Sequence, residues 1–244
     1  MIVTLLGTGT SSGVPLIGCS CDVCRSLDYR DKRLRVSIHL AVSGHHFVVD
    51  TGPDFRQQML REGISQLDAV LFTHQHKDHT AGLDDVRAFN FLQQRDMPVY
   101  GRAEVLEQIH REFEYVFAEH RYPGIPRLQL HEGVTFTPID VLHHKLPVFG
   151  FRVNNFAYVT DVNHIAESEQ HKLKGLDVLV MGALQRDQHI SHYSLEQALG
   201  MVERLQPKMT YFTHVSHKMG KHGDVEKELP PTVRLGYDGL KLRL

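Results

Sequence analysis

Thr73-His74-Gln75-His76-Lys77-Asp78-His79 follows directly on the apolar stretch Ala69-Val70-Leu71-Phe72. In an extended segment alternate side chains share a face. His74 and His76 can therefore grip one ion, while the turn into a following helix swings Asp78 and His79 toward a second. Imidazole and carboxylate crowded at a strand end are what a metal centre demands. A polar loop that merely happens to be rich in histidine accounts less well for this density.

The rest of the chain is consistent with that reading. Its 244 residues carry 27 Lys plus Arg against 29 Asp plus Glu, with 18 His and no Trp. A net charge of −2 gives no chain-wide positive field to hold a polyanion, so nucleic acid is disfavoured as a partner unless a local patch binds it. The histidines need a chemical explanation. No low-complexity segment, linker or fixed-period repeat divides the sequence, and residues 1–244 read as one domain. The first residues lack the basic region and cleavage site of a secretory signal, and nowhere do eighteen apolar residues run together, so no membrane association is expected. The three cysteines, Cys19, Cys21 and Cys24, suit a metal site in a reducing compartment better than a disulfide framework, which points to the cytoplasm.

Strand-like runs come early, at Ile2–Leu6, Val36–Val42, His46–Asp50 and Ala69–Thr73, with a hairpin signalled at Ser43-Gly44. Helical periodicity follows over Phe55–Arg61, Asp84–Gln94 and Ala103–Phe117. A second set of strands is read at Val134–Ile139, Val148–Val153, Phe156–Thr160, Val178–Met181 and Met209–Thr213, with Asn154-Asn155 as a tight turn. Ser194 with Gln197 forms a capping box for a helix running to about Leu205. Strand groups interrupted by helices in both halves suggest an α/β protein with two sheets face to face and helices outside.

The pattern HxHxDH in His74, His76, Asp78 and His79 resembles the signature of the metallo-β-lactamase superfamily of hydrolases. The resemblance implies a four-layer αββα sandwich and a dinuclear centre completed by a third His, a bridging Asp and a last His. It carries over to Asp161 in Ala157-Tyr158-Val159-Thr160-Asp161 as the bridge and to His214 in Tyr211-Phe212-Thr213-His214 as the last ligand. The third His comes from Leu142-His143-His144-Lys145. The resemblance favours His143, since in this subgroup of the family the ligand tends to be followed two positions on by Lys, here Lys145, with His144 as the alternative. Two divalent ions, Zn or Mn, about 3.5–4 Å apart would hold a bridging hydroxide as nucleophile, and Asp78 belongs to both the metal set and the catalytic set. Asp50 resembles a buried Asp of the family that orients a ligand His, although it also reads as a simple turn carboxylate.

Three thiolates in Gly18-Cys19-Ser20-Cys21-Asp22-Val23-Cys24 make most of a tetrahedral zinc site that one more N or S donor would close. Reduced surface thiols and an iron–sulfur cluster are weaker readings, the latter lacking a fourth Cys. GCxCxxC together with His214-Val215-Ser216-His217 resembles the phosphodiesterases of bacterial phosphonate degradation and their relatives. That resemblance implies a structural zinc on Cys19, Cys21, Cys24 and His217, and a catalytic His192 in Gln188-His189-Ile190-Ser191-His192 that assists the leaving alkoxide as an imidazolium. His189 is a weaker candidate for substrate contact. The loop Gly7–Gly13 lacks the Lys and spacing of a P-loop and is expected to shape the rim of the site. Arg30–Arg35 is expected to be a solvated charged face.

The function that follows is a metal-dependent phosphodiesterase acting on a small or cyclic phosphodiester, with a homodimer as an open oligomeric state. A ribonuclease Z-like endonuclease is the alternative, weakened by the charge balance and by the lack of a long Gly- and basic-rich insertion to clamp transfer RNA. A non-catalytic metal-binding scaffold would not need every expected ligand. Lactamase or thioesterase action has less support.

Overall fold

The computed structural model describes residues 1–117, 128–132 and 136–244, with the side chains of 129–132 left aside. Successive strand residues enter different apolar clusters. Leu5, Val49, Leu71, Tyr158 and Val180 pack in one, whereas Leu6, Val48, Val70 and Phe72 pack in a second and Ala157, Val159, Leu179 and Met181 in a third. Because strand side chains alternate in direction, each such strand is buried on both faces, which is why it reads as a continuous apolar run. The first cluster lies between two sheets. The second joins one sheet to the helices Phe55–Glu62, Arg87–Gln93 and Ala103–Glu112, and the third joins the other sheet to Leu195–Leu205. This is the expected αββα order of layers.

Among the described residues the strands are β1 (Ile2–Gly7), β2 (Ser37–Val42), β3 (His45–Val49), β4 (Ala69–Leu71), β5 (Met97–Gly101), β6 (Leu128–Glu132), β7 (Thr137–His143), β8 (Leu146–Val153), β9 (Phe156–Val159), β10 (Val178–Gly182), β11 (Met209–Thr213), β12 (Val233–Leu235) and β13 (Lys241–Arg243). One sheet has the order β13-β1-β2-β3-β4-β5-β6, the other β12-β11-β10-β9-β8-β7. Each is mixed in the same way, with antiparallel pairs leading into parallel ones: β2 against β3, then β3, β4, β5 and β6 in parallel; β8 against β9, then β9, β10, β11 and β12 in parallel.

The expected hairpins form. Ser43 and Gly44 both have positive φ (51° and 81°), as a two-residue turn matching strand twist requires, and Asn154 (φ 52°) turns β8 into β9. A third two-residue turn, His144-Lys145, joins β7 to β8 and was not anticipated. Ser194 accepts from the Gln197 amide and Gln197 answers the Ser194 amide, completing the capping box. The expected strand Val134–Ile139 falls partly outside the described residues and is seen from Thr137 to His143. The helix read over Ala103–Phe117 breaks at Phe113, and the one over Asp84–Gln94 begins as a 3₁₀ turn at Leu83–Val86.

Arg30–Arg35 is no free basic face. Arg33 is buried and donates to the Thr8 hydroxyl, Arg30 pairs with Asp28, and Arg35 pairs with Asp54. Buried Asp31 accepts from the His222 amide, so the run ties the start of the chain to its end.

Candidate metal centre

β7 and β9 both run against β8, so they point the same way as the parallel strands β10 and β11. The carboxyl ends of β7, β9, β10 and β11 thus share one edge, and those of β3 and β4 share an edge of the other sheet. Chain leaving these ends is free to present side chains into the crevice beyond them. Asp50 follows β3, the His74–His79 segment follows β4, His143 ends β7, Asp161 follows β9, and His214 follows β11. Asp50 and His214 hold left-handed backbone, with φ of 65° and 57°, a conformation costing on the order of 1–3 kcal/mol for a non-glycine residue. Surrounding bonds maintain it. The Val215 amide donates to the Thr8 carbonyl and the Thr10 amide to the Val215 carbonyl, so the Gly7–Gly13 loop lies against the last histidine as the rim reading expected.

Two groups of ligand-type atoms that have no residue in common form here. His74, His76 and His143 make one, and Asp78, His79, Asp161 and His214 the other, with the atoms of each group within 4.8 Å of one another. His74 Nε2 lies 3.0 Å from His76 Nδ1. In the second group His79 Nε2 lies 3.3 Å from both Asp78 Oδ2 and Asp161 Oδ1, and His214 Nε2 lies 3.2 Å from Asp161 Oδ2. Donors bound at about 2.0–2.1 Å at tetrahedral angles stand about 3.3 Å apart, so these are the spacings of atoms sharing an ion. The Asp161 oxygen that faces His214 is also 4.0 Å from His74 Nε2, which places this carboxylate between the groups. His143, half-buried, is the member that joins; His144 sits exposed in the turn.

Hydrogen bonds hold one nitrogen of the His74, His79 and His143 rings and turn the other toward the cluster. His79 Nδ1 donates to Asp50 Oδ2 at 2.7 Å, and His143 Nδ1 donates to the Ser191 carbonyl at 2.9 Å. His74 Nδ1 donates to the Thr73 hydroxyl at 3.0 Å, which passes its own proton to Asp50 Oδ2 at 2.8 Å. Asp50 is completely buried and also accepts from the Thr73 amide. It orients two ligand-type rings at once, a fuller role than the simple turn carboxylate. Sequence reasoning missed Thr73 and the Ser191 carbonyl; Thr73 stands inside the signature stretch, whereas a backbone acceptor leaves no sequence signal.

The donor set fits a cation. His79 Nε2 and both ring nitrogens of His214 are buried without a hydrogen-bond partner, a rare and costly state for polar atoms unless something else satisfies them. Burial alone would keep His79 neutral, yet Asp161 and Asp50 outweigh it and hold its imidazole well above the ordinary range. Burial likewise opposes ionisation of Asp161, but His214 and His79 hold that carboxyl well below the usual range. A cavity that draws a proton onto His79 is short of positive charge.

His192 is buried over the same floor, its ring 4.5 Å from His143 and 4.6 Å from His214. Burial, reinforced by His214, pushes its imidazole down to about 2. Burial therefore disfavours the imidazolium expected from sequence in the protein by itself. His189 lies 5.3 Å from His192 in the same loop and is exposed.

Cys19, Cys21, Cys24 and His217 also converge within 4.8 Å. His217 Nδ1 stands 3.5 Å from Cys19 Sγ and 3.4 Å from Cys21 Sγ, near the roughly 3.6 Å expected around a zinc with S and N ligands. The His217 contact lowers exposed Cys21 to about 6, while burial raises Cys24 to about 11. Cys24 packs with Val14 and Val23 and accepts from the Leu16 amide at 3.4 Å.

Comparison with known proteins agrees with this architecture. Residues 45–215 match the β-lactamase superfamily domain. A solved diphosphatase of the PhnP family is 38% identical, with a TM-score of 0.92 over 99% of this chain and 96% of that one. An octanoyltransferase from Porphyromonas gingivalis is 40% identical over 97% of this chain but 50% of its own length. A ribonuclease Z from Rippkaea orientalis is 31% identical over 63% of this chain and 47% of its own. The chain spans about half the length of these two curated relatives. No helix among the described residues is long and apolar enough to cross a membrane. With the layer order and most of the sequence answering to one family of hydrolases, the chain belongs to the metallo-β-lactamase superfamily.

Proposed function

We propose that residues 1–244 work as one unit, a metal-dependent phosphodiesterase that hydrolyses a small or cyclic phosphodiester. The observation that carries this reading is the pair of ligand groups with the Asp161 carboxylate standing between them. His74, His76 and His143 would hold one divalent ion, Zn or Mn, and Asp78, His79 and His214 a second, with Asp161 contributing to both. Such a pair supplies an activated water and takes up charge on the phosphoryl oxygens when bound.

The chain's own residues do the rest. Asp50 and the Ser191 carbonyl keep Nε2 of His79 and His143 bare and aimed. The His192 ring, whose charged form burial disfavours, stands 4.5 Å from that of His143 and 4.6 Å from that of His214. An anionic phosphoryl group beside it would raise its affinity for a proton, which it can then give to the departing alkoxide. Cys19, Cys21, Cys24 and His217 would hold a structural zinc, closed by four protein ligands and without a position for substrate. The diphosphatase relative supports phosphorus–oxygen chemistry rather than attack on a carbonyl.

Processing of transfer RNA precursors is a second reading, motivated by the ribonuclease Z relative. The net charge of −2 and the engaged arginines at 30, 33 and 35 weigh against it. A screen of the Zn- and Mn-loaded protein against bis-aryl phosphates, cyclic nucleotides, a diphosphate, a β-lactam and a transfer RNA precursor tests the proposal. Turnover confined to the small phosphorus esters is expected, accompanied by about two more bound ions than survive chelation. Cleavage of the RNA alone, or a single chelation-resistant ion, would overturn it.

A further inference from the structure

We propose that Asn163 is a positioning residue that sets the placement of His143 against His192, on the reading that these two histidines serve one reaction. Asp161 leaves β9, and the three residues after it are stitched to both neighbouring segments. The Asn163 amide donates to the Leu142 carbonyl at 2.9 Å and the Leu142 amide to the His164 carbonyl at 3.0 Å, while the Tyr193 amide donates to the Val162 carbonyl at 2.7 Å. The strand end bearing His143 and the loop bearing His192 are thus each tied to the segment that carries Asp161.

The Asn163 side chain closes the remaining gap. Its Oδ1 accepts from the His144 amide at 2.7 Å, and its Nδ2 donates to the Ile190 carbonyl at 3.3 Å. His144 is the left-handed residue (φ 57°) of the turn that immediately follows His143. Ile190 immediately precedes Ser191, whose carbonyl accepts from His143 Nδ1 at 2.9 Å. One carboxamide therefore fixes both the backbone beyond the His143 ring and the backbone that supplies the ring's acceptor. The His143 and His192 rings stand 4.5 Å apart under this constraint.

The task needs an acceptor on one side and a donor on the other, held on a short stem. Asn offers both; Asp offers only acceptors, and Ala offers neither. Asn163 is itself half-buried, and its removal deletes no large apolar volume, so a loss of function need not follow from unfolding. Displacement of a catalytic group by about 1 Å can cost about 10²-fold in rate, which is the lever such a brace controls.

The test compares Asn163→Asp and Asn163→Ala with the parent, all zinc-loaded, in steady-state hydrolysis of a bis-aryl phosphate and in ¹⁵N-histidine NMR of the His143 Nδ1–H resonance. Expected are a fall in kcat of about 10-fold for Asn163→Asp and up to about 100-fold for Asn163→Ala, KM within about twofold, metal content unchanged, and a displaced His143 resonance in both. Parent-like kcat in both folded variants, or an unshifted resonance, overturns the proposal, as does a rate loss matched by loss of metal. If Asn163→Ala fails to fold, Asn163→Asp decides alone. A parent that hydrolyses no phosphodiester sinks the proposed function but not the brace, because the resonance reports on His143 without turnover.

Discussion

His192 is placed to act in either of two ways. Its ring nitrogens approach His143 and Asp161 closely enough that the three form a ligand-type group of their own, within 4.8 Å. As a ligand it would need its neutral form, which burial already enforces; as an acid it would need to gain a proton when an anionic substrate binds. Replacement separates the roles. His192→Ala is expected to lower turnover by about 10² or more while both ions remain bound, as measured by kinetics alongside metal analysis. Loss of an ion in proportion to activity would make it a ligand and not a proton donor. Between His143 and His144 the family resemblance favoured His143, but strand periodicity by itself could not decide, for a simple reason. Alternation along a strand says that the two point apart, but which one faces inward depends on register, and here His143 pairs with Leu146 so that His144 falls in the turn.

The helix Lys77–Thr80, which carries Asp78 and His79, is one turn long and cannot be stable by itself. It is held by the Asp50–Gly52 loop: the Thr51 amide donates to the His79 carbonyl at 2.7 Å and the Gly82 amide to the Thr51 carbonyl at 2.8 Å. Backbone approaches backbone so closely that a Cβ on Gly82 would stand 2.2 Å from the Gly52 carbonyl oxygen, and one on Gly52 would stand 2.2 Å from that of Asp78. Gly82→Ala is therefore expected to push the short helix off its support, with a stability loss of about 1–3 kcal/mol from overpacking. Because Asp78 and His79 move while His74, His76 and His143 do not, the second ion should weaken about 10–100-fold relative to the first, as in disturbance of metal-supporting contacts elsewhere. Stepwise metal titration reads this directly, and two ions held at parent affinity would refute it. Strands buried on both faces were legible because apolar runs leave no other explanation. The three-residue strands β12 and β13 and the Pro98-containing β5 were not, being too short or too mixed to show a period. Nor was the break at Phe113, a buried residue that keeps the helical spacing while its backbone leaves the helix.

The early and late parts of the chain meet through ligand-type residues that spacing and the family resemblance together pointed to, and through contacts that neither announced. The cysteines at 19–24 stood out by spacing and His217 was joined to them by the family resemblance, whereas the ties from Arg33 to the Gly236 carbonyl and from Asp31 to His222 looked from sequence like an ordinary charged run. The cysteine cluster joins Cys19 to His217 across 198 positions, and His217 lies three residues beyond His214 on a segment anchored by the Ser216 amide to the Leu184 carbonyl at 2.8 Å. A zinc there would act as a cross-link between the opening loop and the segment that carries His214, adding its binding free energy to that of folding. Cys21→Ala isolates this contribution. Cys21 is exposed, so its truncation opens no cavity, and any loss of stability must come from the lost ligand. The variant is expected to bind one zinc fewer, keep the other ions, and melt about 4–8 °C lower, the shift for a loss of about 2 kcal/mol in a chain of this size. Metal analysis and calorimetry check both parts. An unchanged zinc content would show that the thiols are not ligands. A lost zinc with an unchanged melting temperature would show instead that pairing of β1 with β13 and the other protein contacts between these segments hold them without help from the zinc.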